Sequence, residues 1–320
     1  MKVLITRKIP GEFVEKLKNA GFEVDLWNRD CPMGRQDLLE RVVGVDALIS
    51  LLTDKIDAEL MDKAGPSLKI VSNYAVGFDN IDLDEAKKRG IVVTNTPSKE
   101  VNEAVAEHTW ALILALSRRI VEADEATRRG GYYGWDPDIF LGRSLVGKTL
   151  GIIGLGNIGT MVARRAKGYE MNVIYNKHNP DPEAEKELEV KFASLDELLS
   201  TSDFISLHVP LTEETRGLIN KETLGKMKRR SYLVNTARGP IVCEQDLAEA
   251  LRTGVLAGAA LDVFENEPNI NPELLAMENV ILTPHIASST WEARLKMTDQ
   301  AVSAILDFFS GRTPENVVRG

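Results

Sequence analysis

The sequence predicts an α/β protein made of two doubly wound parallel sheets, and three observations carry that expectation. Strand-like and helix-like segments alternate from Met1 to about Thr96, a pattern that calls for a parallel sheet with helices on both faces. The stretch Lys148 to Ala166, KTLGIIGLGNIGTMVARRA, opens a second alternating series with a short apolar run and glycines in G-x-G-x-x-G spacing. At 320 residues the chain is too long for one small core and suits two domains of ordinary size.

The first half supplies its elements in order. Val3 to Thr6 reads as a strand, Glu12 to Ala20 as a helix, Phe22 to Trp27 as a strand and Gln36 to Val43 as a helix. Asp46 to Leu51 is a strand, Ala58 to Ala64 a helix, Lys69 to Asn73 a strand, Leu83 to Arg89 a helix closed by Gly90, and Ile91 to Thr94 a last strand. This series is flavodoxin-like in style. Pro97 then interrupts the strand pattern, and Ser98 or Asn102 can cap the helix that follows. That helix is expected over Val101 to Arg128, ended by Gly130-Gly131, and its run WALILAL is apolar on every side. Such a helix belongs between domains or at a subunit interface, which predicts a homodimer.

In the second half, Leu150 to Ile153 reads as a buried parallel strand, and Gly154, Gly156 and Gly159 form the turn into a helix. Glycine permits the turn, lets backbone approach a pyrophosphate and lets helix pack on strand, while the helix N-terminus offers unpaired N–H groups to phosphate. The spacing therefore predicts a dinucleotide site, with Leu155, Asn157 and Ile158 among the turn residues. Further strands fall at Asn172 to Asn176, Asp203 to His208, Tyr232 to Asn235, Ala257 to Val263 and Val280 to Leu282. Helices lie near Leu195 to Leu199, Lys221 to Met227 and Glu244 to Arg252. The result is a Rossmann sheet of about six or more strands with its ligand at the switch point. The closing helix, Ser289 to Phe309, is expected to return to the first domain. Residues 1–98 with 288–320 should then form a substrate domain and residues 99–287 a dinucleotide domain, with a cleft between them.

Composition narrows the partners. Asp and Glu number 48 against 39 Lys and Arg, a net charge of -9 that argues against nucleic-acid and anionic-membrane surfaces. Cys31 and Cys243 lie far apart with no C-x-x-C spacing, which points to a reducing cytoplasm. The opening MKVLITRKIP reads as a strand and not a signal peptide, and no apolar run reaches transmembrane length. No His/Cys/Asp cluster has metal spacing, so no metal is expected.

Three segments at the carboxyl ends of expected strands hold the polar residues that matter: Asn235 to Gly239, Asp262 to Pro268, and Thr283-Pro284-His285. His285 is a candidate acid–base group. A glutamate of the second segment can orient it, although spacing alone does not separate Glu265 from Glu267. Arg238 offers a fixed cation for a carboxylate and a carbonyl oxygen in one small substrate. His108 reads as a packed or capping residue, His208 as a structural hydrogen-bonding one, and Trp110 and Trp135 as packing residues, with Trp135 also a candidate to approach a neighbouring subunit's pocket.

These segments resemble the D-isomer-specific 2-hydroxyacid dehydrogenases. VSNYAVGFDNID, GKTLGIIGLGNIG, SDFISLHVPLTEETRGLIN, NTARGPIV, AALDVFENEP and LTPHIASST look like that family's signatures, in its order, over nearly the whole chain. NYAVGFDNID and the Trp135 stretch look most like its glyoxylate and hydroxypyruvate reductases. The resemblance implies that Arg238, Glu267 and His285 hold the catalytic positions. It implies that Thr53 and the N–H groups of Val76 and Gly77 bind substrate alongside Arg238 and His285, and that Asp262 orients the nicotinamide carboxamide. Val209, Pro210, Thr215, Thr236, Ala237 and Ala287 are expected along the cofactor groove with Arg238 and His285. Val105 stands where many members carry a threonine near the cofactor phosphates.

NAD-specific members end the second dinucleotide strand with an aspartate that binds the adenosine 2′-hydroxyl, whereas this chain reads Tyr175-Asn176-Lys177-His178-Asn179. Lys177, His178 and Asn179 can accommodate a 2′-phosphate, so NADP(H) is the expected cofactor, with NAD(H) left open by Asp181 and Glu183. The expected activity is reduction of glyoxylate or hydroxypyruvate. Alternatives are a D-lactate or other D-2-hydroxyacid dehydrogenase, with a phosphoglycerate or phosphite dehydrogenase behind them, and a non-catalytic dinucleotide sensor like the corepressors related to this family. A phosphite enzyme would carry lysine where this chain has Val76, a formate enzyme glutamine where it has Glu267, and a phosphoglycerate enzyme more cations than Lys55 near Thr53.

Overall fold

A computed structural model describes residues 1–318, which divide into two compact units: residues 1–101 with 289 onward, and residues 102–288. In the first unit the chain alternates through β1 (Lys2–Ile5), α1 (Phe13–Asn19), β2 (Glu23–Leu26), α2 (Arg35–Arg41), β3 (Ala47–Leu51), α3 (Ala58–Ala64), β4 (Ile70–Tyr74), α4 (Leu83–Lys88) and β5 (Val92–Thr94). The sheet is wholly parallel in the order β2-β1-β3-β4-β5, the flavodoxin-like arrangement. Every residue of β4 is buried, as expected of a central strand covered on both faces.

The division between units falls within α5 (Lys99–Arg118), which is followed by α6 (Ile120–Arg128). The second unit continues through β6 (Thr149–Ile153), α7 (Asn157–Ala166), β7 (Asn172–Asn176), α8 (Pro182–Leu188), β8 (Lys191–Phe192), α9 (Leu195–Thr201) and β9 (Phe204–Leu207). It ends with α10 (Lys221–Lys226), β10 (Ser231–Asn235), α11 (Glu244–Arg252), β11 (Leu256–Leu261), α12 (Pro272–Leu275) and β12 (Val280–Leu282). The seven strands run parallel in the order β12-β11-β10-β9-β6-β7-β8. Strand order reverses between β6 and β9, which defines the switch point. Along β10, Leu233 joins one apolar cluster and Val234 the other, because successive strand residues face opposite sides of the sheet. The chain closes with α13 (Trp291–Phe309), which packs on the first unit's β4: the Ser72 hydroxyl donates to the Ala301 carbonyl (3.1 Å) and the Tyr74 hydroxyl to that of Arg294 (2.7 Å).

Two expectations about the long helix are corrected. It is not continuous to Arg128 but breaks at Arg119, which takes a left-handed φ of 54° and pairs its guanidinium with Glu122. Neither Gly nor Pro marks this break, so pattern reading runs through it. Most of WALILAL is core of its own unit: Trp110, Leu112, Ile113 and Leu116 are buried against Leu150, Val162 and other residues of that unit's sheet and helices, while Ala111 is exposed. The exposed apolar groups come later. Trp135, expected to pack, is 85% exposed, and Tyr133 96%. β8 and α12 carry too few residues for a periodic pattern, and α8, PEAEKEL, buries only Leu188 and shows no apolar face; all three are absent from the sequence reading.

Candidate active site

The glycine turn sits at the switch point of the seven-stranded sheet. Gly154 takes a φ of +99°, and a Cβ there would lie 2.6 Å from the His208 carbonyl carbon and oxygen, so both conformation and space require glycine. A Cβ on Gly159 would meet the Gly154 oxygen at 2.1 Å, which is how closely α7 starts against the turn, whereas nothing lies within 4 Å of one on Gly156. Leu155 anchors the turn in the core, and the first N–H groups of α7, at Asn157 and Ile158, have no intrahelical acceptor. A cradle that is open at Gly156 and ends in a helix N-terminus fits the pyrophosphate of a dinucleotide.

The next strand ends border the same turn. The His208 ring pairs with the Ser206 hydroxyl at 2.8 Å, and burial pushes its pKa down to about 3, which keeps it neutral. Val209 packs on the core, and the Thr215 hydroxyl donates to the Pro210 carbonyl at 2.6 Å, closing the loop between them. At the end of β7, Asn176 donates to the Ala193 carbonyl. Lys177 pairs with Asp181 at 3.1 Å, while His178 is 89% exposed and 3.8 Å from Glu214.

At one edge of the sheet, β10, β11 and β12 each deliver a polar loop. Asn235, fully buried, accepts from the Ala237 N–H (3.0 Å) and donates to the Arg238 carbonyl (2.9 Å), which stitches the turn through Thr236 that presents Arg238. The Thr236 hydroxyl pairs with Thr109 of α5 at 2.9 Å. The Arg238 guanidinium donates to the Ala237 carbonyl. A Cβ on Gly239 would lie 1.8 Å from the Phe264 carbonyl oxygen, so the β10 loop rests directly on the loop that carries Glu267.

Glu267 accepts the Phe264 N–H on Oε1 (3.0 Å) and faces His285 Nδ1 with Oε2 (2.9 Å). Burial alone would raise its pKa; the imidazole, the Phe264 N–H and the Arg238 charge outweigh that and hold it below the usual carboxylate range. The neighbouring Glu265 turns elsewhere and accepts the Glu244 N–H, so geometry separates the two glutamates that spacing could not. His285 has a left-handed φ of 54°, and its N–H donates to the carbonyls of Asp262 (2.9 Å) and Thr283 (3.0 Å). Asp262 is fully buried. Its Oδ1 accepts from the Thr283 hydroxyl (2.6 Å) and the Ile286 N–H (2.8 Å), and its Oδ2 from the Ala287 N–H (2.8 Å). Burial opposes its ionisation, yet His108, Thr283 and these two N–H groups hold its pKa below the usual value.

Thr53, Val76 and Gly77 belong to the first unit. The Ala75 carbonyl accepts the Thr96 N–H (2.9 Å) and the Val76 carbonyl accepts the Asn95 amide (2.7 Å). Because a trans peptide sets C=O and N–H in opposite directions, the N–H groups of Val76 and Gly77 point away from Asn95 and Thr96. Asn73 and Asn80 brace this loop from beneath. Thr53 is exposed beside Asp54, whose buried carboxylate accepts from Thr6 and the Leu51 N–H.

The seven-stranded unit thus brings Arg238, Glu267, His285, Asp262 and Ala287 to one edge. The sequence reading missed Thr109, named Thr283 only within its strand-end segment and gave His108 only a packing or capping role; His108 Nε2 lies 3.2 Å from the Thr283 hydroxyl and 3.5 Å from Asp262. No sequence signal pairs residues so far apart. Among the described residues, no group of three His, Cys, Asp or Glu gathers to hold a metal, and no helix is long and apolar enough to cross a membrane.

Residues 110–287 match the family described as D-isomer specific 2-hydroxyacid dehydrogenase, NAD binding domain, and the chain belongs to this oxidoreductase family. It is 48% identical to a glyoxylate reductase of Thermococcus onnurineus, over 99% of this chain and 95% of that one. Among solved structures, a Thermus thermophilus protein superposes with a TM-score of 0.94 at 44% identity, covering all of both chains. An acyclic imino acid reductase, Bsp5, solved with NADPH and D-Arg, superposes at 0.85 with 31% identity, also over the whole of both chains.

The lowered Glu267 pKa has a pH signature. A depressed carboxyl adds stability that is complete above its unfolded value of about 4.3 and disappears as pH falls through the folded value. Urea unfolding between about pH 5 and 3 should therefore show a shallower acid-side loss in Glu267→Gln than in the wild type; equal slopes would remove the pair from the stability of the fold.

Proposed function

We propose that the chain is an NADP(H)-preferring reductase of small 2-keto acids, with glyoxylate first and hydroxypyruvate second, acting as a homodimer. The observation that carries this reading is His285 Nδ1 held 2.9 Å from the Glu267 carboxylate, at the sheet edge that also presents Arg238. The nicotinamide, when bound, supplies the hydride to the keto carbon. With Nδ1 committed to Glu267, Nε2 is the nitrogen of His285 that donates the proton to the carbonyl oxygen. Arg238 polarises that oxygen and pairs with the substrate carboxylate, a double task suited to a planar guanidinium. Glu267 keeps the ring oriented. The direction of the Val76 and Gly77 N–H groups supports their reading as carboxylate binders. Lys55, the cation that follows Thr53 and Asp54 in the chain, is already paired with Asp57 at 3.3 Å, which favours a small uncharged substituent over a phosphate.

Glyoxylate is favoured by the glyoxylate reductase at 48% identity over nearly the full chain. The preference for NADP(H) rests on Lys177 at the position of the missing acid and on His178 beside it, and the relative solved with NADPH agrees with it. Asp181, which already pairs with Lys177, is the feature that favours NAD(H) instead. Dimerisation rests on the apolar side chains exposed between α6 and β6, chiefly Tyr132, Tyr133, Trp135 and Leu141, more than scattered surface residues would explain.

Replacing His285 with Ala should lower kcat for glyoxylate about 10²- to 10⁴-fold while the cofactor still binds, read by absorbance turnover and by cofactor fluorescence; an active variant would take His285 out of proton transfer. Wild-type catalytic efficiency should be higher with NADPH than with NADH, and Lys177→Ala should narrow the ratio; an NADH advantage would reverse the cofactor assignment. Sedimentation at micromolar concentration should give a dimer that Trp135→Glu weakens, and a wild-type monomer would refute the assembly.

A further inference from the structure

His108, Thr283 and Asp262 come from three separate elements and meet in one cluster, in which His108 Nε2 also lies 3.5 Å from Asp262 Oδ1. His108 stands on α5, with its side chain 18% exposed and its Nε2 3.2 Å from the Thr283 hydroxyl. Thr283 follows β12, and its hydroxyl is 2.6 Å from Asp262 Oδ1, at the end of β11. Asp262 in turn accepts the N–H groups of Ile286 and Ala287, and its main-chain carbonyl accepts that of His285. The direction of the chain is fixed by its end. A buried carboxylate only accepts, so the Thr283 proton is committed to Oδ1 and the Thr283 oxygen must accept from His108, which therefore carries its proton on Nε2. The last link holds the turn that places His285 at φ 54°, a conformation unfavourable for a non-glycine residue that persists where its surroundings over-determine it.

We propose that His108 is a positioning residue for His285, acting through Thr283 and Asp262 to hold the 285–287 turn in its left-handed form. The proposal deepens the reading of His285 as proton donor and rests on it. His108 donates one hydrogen bond, fixes the Thr283 rotamer, and thereby keeps Oδ1 turned to the Ile286 N–H. Without it the Thr283 hydroxyl loses its orienting donor, and Asp262 is left with two main-chain N–H groups and a less firmly fixed hydroxyl, which loosens the 285–287 turn and with it the imidazole relative to Glu267.

The test compares His108→Leu, of similar size without a donor, with His108→Gln, whose amide nitrogen falls near the place of Nε2. In the cofactor-free protein, amide exchange at Ile286 and Ala287 should accelerate about tenfold or more in His108→Leu, leave Leu233 in β10 unchanged, and return toward wild type in His108→Gln. In turnover, His108→Leu should lower kcat for glyoxylate about tenfold with KM within about twofold, enlarge the solvent isotope effect, and be rescued by His108→Gln. Unchanged exchange and kcat in His108→Leu, or a His108→Gln variant as impaired as His108→Leu, would overturn the proposal. Should His108→Leu not fold, Thr283→Val breaks the chain at its middle link and is read by the same two measurements. A wild type that turns over no keto acid would defeat the functional reading, and the exchange result alone would then decide whether His108 holds the turn.

Discussion

Parallel pairing is the constraint on which the rest depends. In an antiparallel sheet, neighbouring strands end at opposite edges; here β10, β11 and β12 run the same way, so the loops after Asn235, Leu261 and Leu282 emerge together. Residues separated by some tens of positions in sequence thereby become neighbours without any long-range device of their own. The reversal of strand order between β6 and β9 opens the space beside them that the glycine turn occupies.

Within that edge, negative charge is distributed by burial and by donors. Asp262 lies deepest and is satisfied by a hydroxyl and two main-chain N–H groups, while Glu267 is half-buried and faces an imidazole. Both are held below the usual carboxylate range despite burial, and in both the compensation includes backbone N–H groups, which do not titrate. The geometry of the turns and the ionisation of the acids are two aspects of one set of hydrogen bonds.

Much of this was legible in the chain because it is local. Alternating apolar segments and their Gly and Pro stops gave most strands to within a residue or two, and strand-end placement singled out His285 and Arg238. What spacing could not supply is tertiary: Glu267 was told from Glu265 only by resemblance, until the structure placed one against His285 and the other against the Glu244 N–H. The break at Arg119 has no Gly or Pro to announce it, and WALILAL reads the same whether it faces a partner or its own sheet. The Lys177–Asp181 pair is local, four residues apart, and both residues stand out in the sequence, Lys177 for a 2′-phosphate and Asp181 for NAD(H), but spacing does not show that they neutralise each other.

His208 carries a consequence for the glycine turn. An imidazole beside an anion cradle would ordinarily make the local field swing with acidity, drawing phosphate more strongly as the solution turns sour. Half-buried and tied to a serine hydroxyl, this ring has its proton affinity pushed down to about 3. The ring then adds no titrating charge to the fixed main-chain dipoles of the turn, and its own contribution to the pull on an anion stays constant through the neutral and mildly acidic range.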